Sequence, residues 1–498
     1  MREKVLAALD QGTTSSRTVI FSLKGEVLAV ASVPFEQIYP QPGYVEHRPG
    51  DILESQLRSL REAVLLSDTD VRDIAAIGIS NQRETTLLWD RETGECAHNA
   101  LVWQCRRTAP EIEALTAAGH TRMIREKTGL VPDAYFSGTK LKWLLDKLQL
   151  RPAAREGRLC FGTVDTFLAW NLCTGRPHVT DATNASRTML FNIHTQEWDE
   201  TLLNLMDIPR AVLPEVINTS GFVGMLDPKI LGRPIPVMAL AGDQHAALFG
   251  QGCYREGAMK NTYGTGCFML MNTGGVPVMN DSGLLTTMAW RLAGQPVYAL
   301  EGSVFMGGAV IQWLRDELNL LASADESEAL AASVASTGGV YMVPAHTGLG
   351  APWWDMYSRG LLIGLTRGTN RRHIIRAALE AIAYQSHDLM KAMIQESGKT
   401  PEALRVDGGA SVNGFLMQFQ ADLINLPVIR PKTTETTALG AALLAGLAAG
   451  CYRSVEDLTA LQETDLVFTP RMQQDRVQAL LKDWQRAVER SLGWIEKE

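Results

Sequence analysis

The sequence predicts an α/β protein built as two similar lobes around a cleft, and three observations carry that expectation. Apolar strand-like runs alternate with helical patterns throughout, as layered α/β folds require. A strand ending in Asp10 with Gln11-Gly12-Thr13-Thr14 has a counterpart roughly halfway along, where Gly257 to Tyr263 runs into Gly264-Thr265-Gly266. A duplicated two-domain chain would show this, although no fixed repeat period is visible. The 498 residues suit about three average domains or two large ones, so several cores are expected.

The opening reads as a β-meander, with strands over 5–10, 17–21 and 27–33 separated by the polar turn after Asp10 and by Lys24-Gly25. A helical pattern covers 51–66. An apolar strand over 74–79 ends in Ser80-Asn81-Gln82-Arg83-Glu84, charged side chains of the kind found at the rim of a sheet. Pro236 to Gly242 is a second strand running into an acid, Asp243-Gln244. The boundary between halves is placed near residues 245–257, giving domains of 1–250 and 251–498. In the second half Ile374, Ile375, Ala378, Leu379, Ile382 and Ala383 recur at helical spacing, with Gly398 as the stop. A short strand over 403–406 meets Asp407-Gly408-Gly409-Ala410, and a helix follows over 415–423. The apolar stretch 438–450 is shorter than the ~20 residues of a membrane span and carries three glycines, so it reads as a buried helix.

Composition excludes several classes. Hydrophobic residues at 46% and charged residues at 20% describe a folded globular chain, not a disordered one. The formal charge of −8, without a basic stripe, argues against a nucleic-acid partner. Seven scattered cysteines without a C-x-x-C pair read as reduced, mostly buried thiols of a cytosol. Met1-Arg-Glu-Lys leads straight into a strand and is too short and too acidic for a secretory signal; with no membrane insertion expected, the location is cytoplasmic. Gly398-Lys399-Thr400 has Met393 where a phosphate-binding P-loop needs glycine, and Gly264-Thr265-Gly266 has Met269 in place of the third glycine of a dinucleotide fingerprint. His373 and His387 read as a solvated helix face without carboxylate company rather than metal ligands.

Three glycine turns, each after a strand, remain. At Asp10-Gln11-Gly12-Thr13-Thr14 backbone N–H groups and hydroxyls converge where side-chain bulk is missing, which suits phosphate oxygens; an ordinary hairpin turn with a capping threonine is the plainer alternative. An acid beside phosphates implies a cation between them, with Asp10 holding Mg²⁺ through water. Tyr263-Gly264-Thr265-Gly266 can face the first turn across a cleft, and Asp407-Gly408-Gly409-Ala410 lets a nucleotide approach the backbone. Two halves clamping one triphosphate is the plan of the ribonuclease H-like, actin-like ATPase lobes. Asp243, an acid at a strand end, reads equally as a helix N-cap or as a base accepting a proton from an attacking hydroxyl.

Gly360-Leu-Leu-Ile-Gly364-Leu365, followed by His373-Ile374 and Ala377-Ala378-Leu379-Glu380, resembles the C-terminal signature of the FGGY carbohydrate kinases. Tyr135-Phe-Ser137-Gly-Thr-Lys140-Leu-Lys-Trp143-Leu-Leu-Asp146 resembles their N-terminal signature, departing at its last place, Lys147. Within that family Asn81-Gln-Arg83-Glu84, Val102-Trp103-Gln-Cys-Arg106-Arg107 and Ala241-Gly-Asp243-Gln244 are similar to the members that phosphorylate glycerol. The resemblance implies transfer of the γ-phosphoryl group of ATP to glycerol, with Asp243 as general base and sn-glycerol 3-phosphate as product. It implies Arg83, Glu84, Tyr135, Asp243 and Gln244 around glycerol, with Trp103 and Phe268 packed on its carbons. Thr13, Thr14, Ser15 and Arg17 would lie near the phosphates, Thr265 and Gly308 on the opposite lobe, and Gln312, Gly409 and Asn413 near ribose and adenine. Gly414 stands where bacterial relatives often carry Asn. A homodimer or homotetramer is implied as well. Leu226 to Pro234 keeps only part of the loop by which some relatives bind fructose 1,6-bisphosphate. The rival readings are a kinase of a pentulose or another polyol, against which Arg83-Glu84 and Trp103 weigh, and an ATP-driven clamp of the actin or chaperone kind.

Overall fold

The computed structural model describes residues 3–496; Met1 and Arg2 of the opening segment lie outside the described residues. Burial without a solvent-facing alternation marks the central strands of the first lobe, as expected where a sheet is covered on both faces. Its strands are β1 (Val5–Gln11), β2 (Ser15–Ser22), β3 (Val27–Pro34), β4 (Ile74–Asn81), β5 (Ser220–Met225) and β6 (Pro236–Gly242). The second lobe supplies β7 (Met259–Tyr263), β8 (Cys267–Gly274), β9 (Leu285–Leu292), β10 (Gln295–Val304), β11 (Leu404–Asp407), β12 (Val428–Pro431) and β13 (Thr464–Phe468). The sheet order is β13-β12-β11-β7-β8-β10-β9-β5-β6-β4-β1-β2-β3.

One pairing scheme occurs twice in that order. In the first lobe β1 is antiparallel to β2, β2 to β3, and β1, β4 and β6 run parallel side by side. In the second, β7 is antiparallel to β8, β8 to β10, and β7, β11 and β12 run parallel. The duplication invisible as a sequence period is a duplication of pairing, and the turns after Asp10 and after Tyr263 close corresponding hairpins. The two half-sheets meet where Ser220 lies opposite Leu292.

The helices that matter for the site are α1 (Pro49–Leu66), α2 (Ser137–Lys147), α3 (Asp243–Gly250), α4 (Ala309–Asp316), α5 (Arg371–Ser397), α6 (Gly414–Ile424) and α7 (Thr436–Ala448). α5 stops at Gly398, whose φ of 65° is the left-handed cap that glycine supplies most readily. α7 is the apolar stretch expected as a buried helix; although it belongs to the second half of the chain, it packs on β1, β4 and β6 of the first and crosses α3. The crossing is backbone against backbone: a Cβ on Gly440 would lie 1.8 Å from the Ala246 carbonyl oxygen, and one on Gly250 2.0 Å from that of Thr436. The expectation for the histidines of α5 needs correction. His373 Nδ1 accepts the Asn370 N–H at 3.2 Å and completes a capping box, and His387 Nδ1 lies 3.3 Å from the Asp388 carboxylate; both are half-buried. All seven cysteines are free thiols and five are buried. No helix of the described residues is long and apolar enough to cross a membrane.

Candidate active site

The turn between β1 and β2 is held from several sides. Gly12 N–H donates to the Ser15 carbonyl at 2.9 Å, and Gln11 and Gln82 amides donate to the Gly12 carbonyl at 2.7 and 3.1 Å. Trp103 Nε1–H donates to Thr13 Oγ1 at 3.0 Å, which leaves the exposed Thr14 hydroxyl and the half-buried Ser15 on the open side. Asp10 accepts from Ser80 Oγ at 2.7 Å and sits opposite Arg17 in the register. Burial pushes the Asp10 carboxyl up to about 6; Ser80 and Arg17 work against that, while the Asp243 carboxylate adds to it. Arg17 itself is paired with Glu435, at the start of α7, at 2.6 Å.

Arg83 and Glu84 follow β4 but are not rim residues: they are 3% and 1% exposed. They are buried because two charges that the sequence did not single out compensate them. Glu301 of β10 takes Arg83 on both oxygens, at 2.5 and 2.9 Å, and Arg187 donates to Glu84 at 2.6 Å and to Glu301 at 3.1 Å. Although burial opposes its ionisation, Arg187 and Arg83 hold the Glu301 carboxyl well below the usual carboxylate range. Glu84 has a φ of 58°, a left-handed conformation that a non-glycine residue keeps only where its surroundings over-determine it. Arg187 also lies over the rings of Tyr135 and Phe136, at 5.5 and 5.2 Å. The Tyr135 ring meets Trp103 edge-on, with centroids 5.5 Å apart. Its loop is pinned by the buried Lys140 of α2, which donates to the carbonyls of Ala134 and Tyr135 at 2.7 and 2.5 Å.

β6 delivers Asp243. Gly242 N–H donates to Thr183 Oγ1 at 2.8 Å, and a Cβ at Gly242 would come within 2.7 Å of Arg83 Cδ, so glycine is what lets Arg83 pass. The N-cap position of α3 is Gly242, not Asp243. Asp243 lies one place inside the helix, accepts its neighbour's N–H from Gln244 at 2.7 Å, and has Arg83 Nε 3.2 Å away. Its side chain remains 32% exposed. Desolvation raises its pKa, and Arg83 and the Gln244 N–H oppose the rise.

The opposite wall is one face of the second-lobe sheet. Directly paired residues share a face. Phe268 pairs with Thr262 and Ser303, Thr262 lies beside Asp407, and Leu270 pairs with both Lys260 and Glu301. Asp407, Lys260, Thr262, the half-buried Phe268 and Glu301 therefore point the same way. Beyond them three glycine turns interlock. Gly308 N–H donates to the Gly264 carbonyl at 2.8 Å and Gly307 N–H to that of Thr265 at 2.9 Å. Gly408, with φ of 84°, brings Asp407–Ala410 so close that a Cβ there would be 2.6 Å from the Tyr263 carbonyl oxygen. Thr265, Gln312 near the start of α4, and Gly409 are exposed around this junction. Asn413 is more committed than expected: its Oδ1 caps α6 at Leu416 N–H, 2.9 Å, and its Nδ2 reaches Ser327 Oγ at 3.2 Å.

The structure thus gathers Asp10, Arg83, Glu84, Trp103, Tyr135, Asp243 and Gln244 on the first-lobe side. Sequence reasoning missed Glu301, Arg187 and Lys260. A glutamate after the apolar run Val297-Tyr298-Ala-Leu was the available signal for Glu301; Lys260, in a strand that also holds Asn261 and Thr262, had none.

Residues 5–250 match the N-terminal domain of the FGGY family of carbohydrate kinases, and residues 259–449 match its C-terminal domain. A glycerol kinase of Dechloromonas aromatica is 57% identical over 493 residues, 99% of this chain and 98% of the relative. Glycerol kinase 2 of Thermotoga maritima is 55% identical over 99% of this chain and all of its own length, 100%. The crystal structure of Plasmodium falciparum glycerol kinase with ADP has a TM-score of 0.93 at 35% identity, covering 98% of both chains. A ligand-bound xylulose kinase from Lactobacillus acidophilus has a TM-score of 0.88 at 23% identity over 98% of this chain and 97% of its own, a likeness of fold. With both halves matched in order and relatives more than half identical from end to end, the chain belongs to the FGGY family of carbohydrate kinases.

Proposed function

We propose that the chain phosphorylates glycerol with ATP, by in-line transfer of the γ-phosphoryl group, and releases sn-glycerol 3-phosphate. The observation that carries this reading is Asp243: a partly exposed carboxylate 3.2 Å from Arg83 Nε, on the lobe that also holds the edge-on pair of Trp103 and Tyr135, in a chain 57% identical to a glycerol kinase. Phosphoryl transfer asks the protein for position and charge rather than covalent chemistry. Asp243 accepts the proton of the attacking hydroxyl. Arg83, Glu84, Tyr135 and Gln244 bind the remaining hydroxyls, with Trp103 and Phe268 against the carbons. Glu84 accepts and Arg83 donates, so each hydroxyl has one permitted orientation.

The nucleotide lies between the hairpins: Thr13, Thr14, Ser15 and Arg17 on one side, Thr265 and Gly308 on the other, and Gln312, Gly409 and Asn413 toward ribose and adenine. Asp10 suits Mg²⁺ held through water. No group of three metal-ligating side chains occurs among the described residues, and Asp10 and Asp243 repel each other on the same lobe, so one carboxylate with waters and phosphates fits the donor set. When bound, the cation neutralises charge on the transferring phosphoryl group. Residues 1–250 then serve glycerol and phosphate, and 251–498 the nucleotide. A homodimer or homotetramer accords with the family, and the need for ATP with a cytoplasmic setting.

The test is ADP formation with Mg²⁺ and ATP, with and without glycerol, beside xylulose, ribulose and dihydroxyacetone. Stimulation by glycerol with glycerol 3-phosphate formed is the expected result. Stimulation by a pentulose alone would keep the fold and overturn the pocket, and no stimulation by any polyol would favour the ATP-driven clamp.

A further inference from the structure

Lys260 is fully buried in β7, in the interior of the molecule rather than at any phosphate turn. Its ammonium donates to Gln244 Oε1 and, at 2.9 Å, to Thr262 Oγ1. A lysine can only donate, so it admits only the carbonyl end of the Gln244 amide. The amide nitrogen is thereby turned the other way, and it has no protein partner among the described residues. Lys260 comes from the second lobe and Gln244 from the first. Its charge faces the carboxylates of Asp407, Asp243 and Glu301, with Arg83 opposing. Cys253 and His245 lie within the field of the same ammonium.

We propose that Lys260 is a positioning residue for substrate selection: by holding the Gln244 carbonyl across the lobe boundary, it fixes the amide so that its N–H₂ donates to a glycerol hydroxyl. This rests on the assignment of Gln244 to glycerol. An amide without that partner rotates between two ends of nearly equal size, one a donor and the other an acceptor, and half of its orientations oppose the hydroxyl they should hold. The effect belongs to the polyol and not to the nucleotide, which contacts neither residue in this reading.

The experiment compares Lys260→Met, which removes the donor, with Lys260→Gln, which keeps a donor but no charge, alone and in a Gln244→Ala background. Steady-state KM values for glycerol and ATP are measured separately. Lys260→Met is expected to raise the glycerol KM about tenfold with the ATP KM within about twofold, and Lys260→Gln to recover most of the loss. In the Gln244→Ala background neither change should add a further increase, because the amide they orient is gone. Equal losses for both substrates, additive effects with Gln244→Ala, or a Lys260→Gln variant as impaired as Lys260→Met would each overturn the assignment. Should Lys260→Met fail to fold beside three carboxylates, Lys260→Ala, which leaves room for water beside them, takes its place in the cycle with Gln244→Ala by the same criteria. Parent protein that forms no ADP in response to glycerol would instead sink the substrate reading itself.

Discussion

Among single residues, Asp243 and Asp10 carry the clearest tests. Asp243→Asn keeps the shape of the side chain and its contact with the Gln244 N–H but removes the proposed base; kcat should fall about 10²–10⁴-fold with an unchanged circular dichroism spectrum. Near-full turnover would take Asp243 out of that role. Asp10 titrates at about 6 when folded against an ordinary 3.8, so its protonated form favours the fold. That contribution is complete below the lower value and is lost as pH rises through the upper one. Metal-free Asp10→Asn should therefore gain on the parent in urea midpoint between pH 4 and 6, by something on the order of 3 kcal/mol at neutral pH, and Mg²⁺ with nucleotide should narrow the gap. A difference flat across that range would count against it. Asp10, Arg83, Glu84 and Asp243 were legible in the sequence because each follows a strand at a glycine turn or inside a family motif. Glu301 and Arg187 were not: they lie 218 and 104 positions from Arg83, Arg187 reaches Glu84 only through the folding of the first lobe, and Glu301 joins them only where the lobes meet. For the same reason Arg83→Ala tests more than a substrate contact, since it strips two buried carboxylates of a shared counter-charge, a change that typically costs about 3–5 kcal/mol.

Among elements, the hairpins and α7 show where pattern reading succeeds and where it stops. The meander of β1 to β3 and the burial of α7 could be read from apolar runs bounded by glycine. That α7 crosses into the other lobe could not, because its uniform hydrophobicity presents no preferred face. The glycines supply what the periodicity lacks: they mark where one helix lies directly against a carbonyl of the next. Gly440→Ala places a methyl group 1.8 Å from the Ala246 oxygen and should force α3 and α7 apart. The expected loss is about 1–3 kcal/mol, or more if the helices cannot shift, read as a lower urea midpoint. An unchanged midpoint would mean that the crossing yields freely.

For the whole molecule, the two lobes repeat one pairing scheme, and their inner faces carry opposite parts of one site. The fold class was legible from alternation and from the echoed turn, but the ion lattice that ties Arg83 and Arg187 of one lobe to Glu301 of the other depends on tertiary closure. A ligand bound between such lobes stabilises them together. Glycerol at about 100 times its Kd should add about 2.7 kcal/mol, seen as a rise in Tm that xylulose at the same concentration does not produce. The pair of Arg17 with Glu435 adds a consequence for selectivity. If Arg17 meets the phosphates as proposed, its guanidinium already has an anion of its own in Glu435, so a nucleotide would enter by exchange and not by simple capture. A lone orthophosphate must displace that carboxylate with few contacts to offer in return, whereas a triphosphate spanning both hairpins brings many. On that reading the protein's own Glu435 would act as a placeholder that small cellular oxyanions are poorly equipped to dislodge.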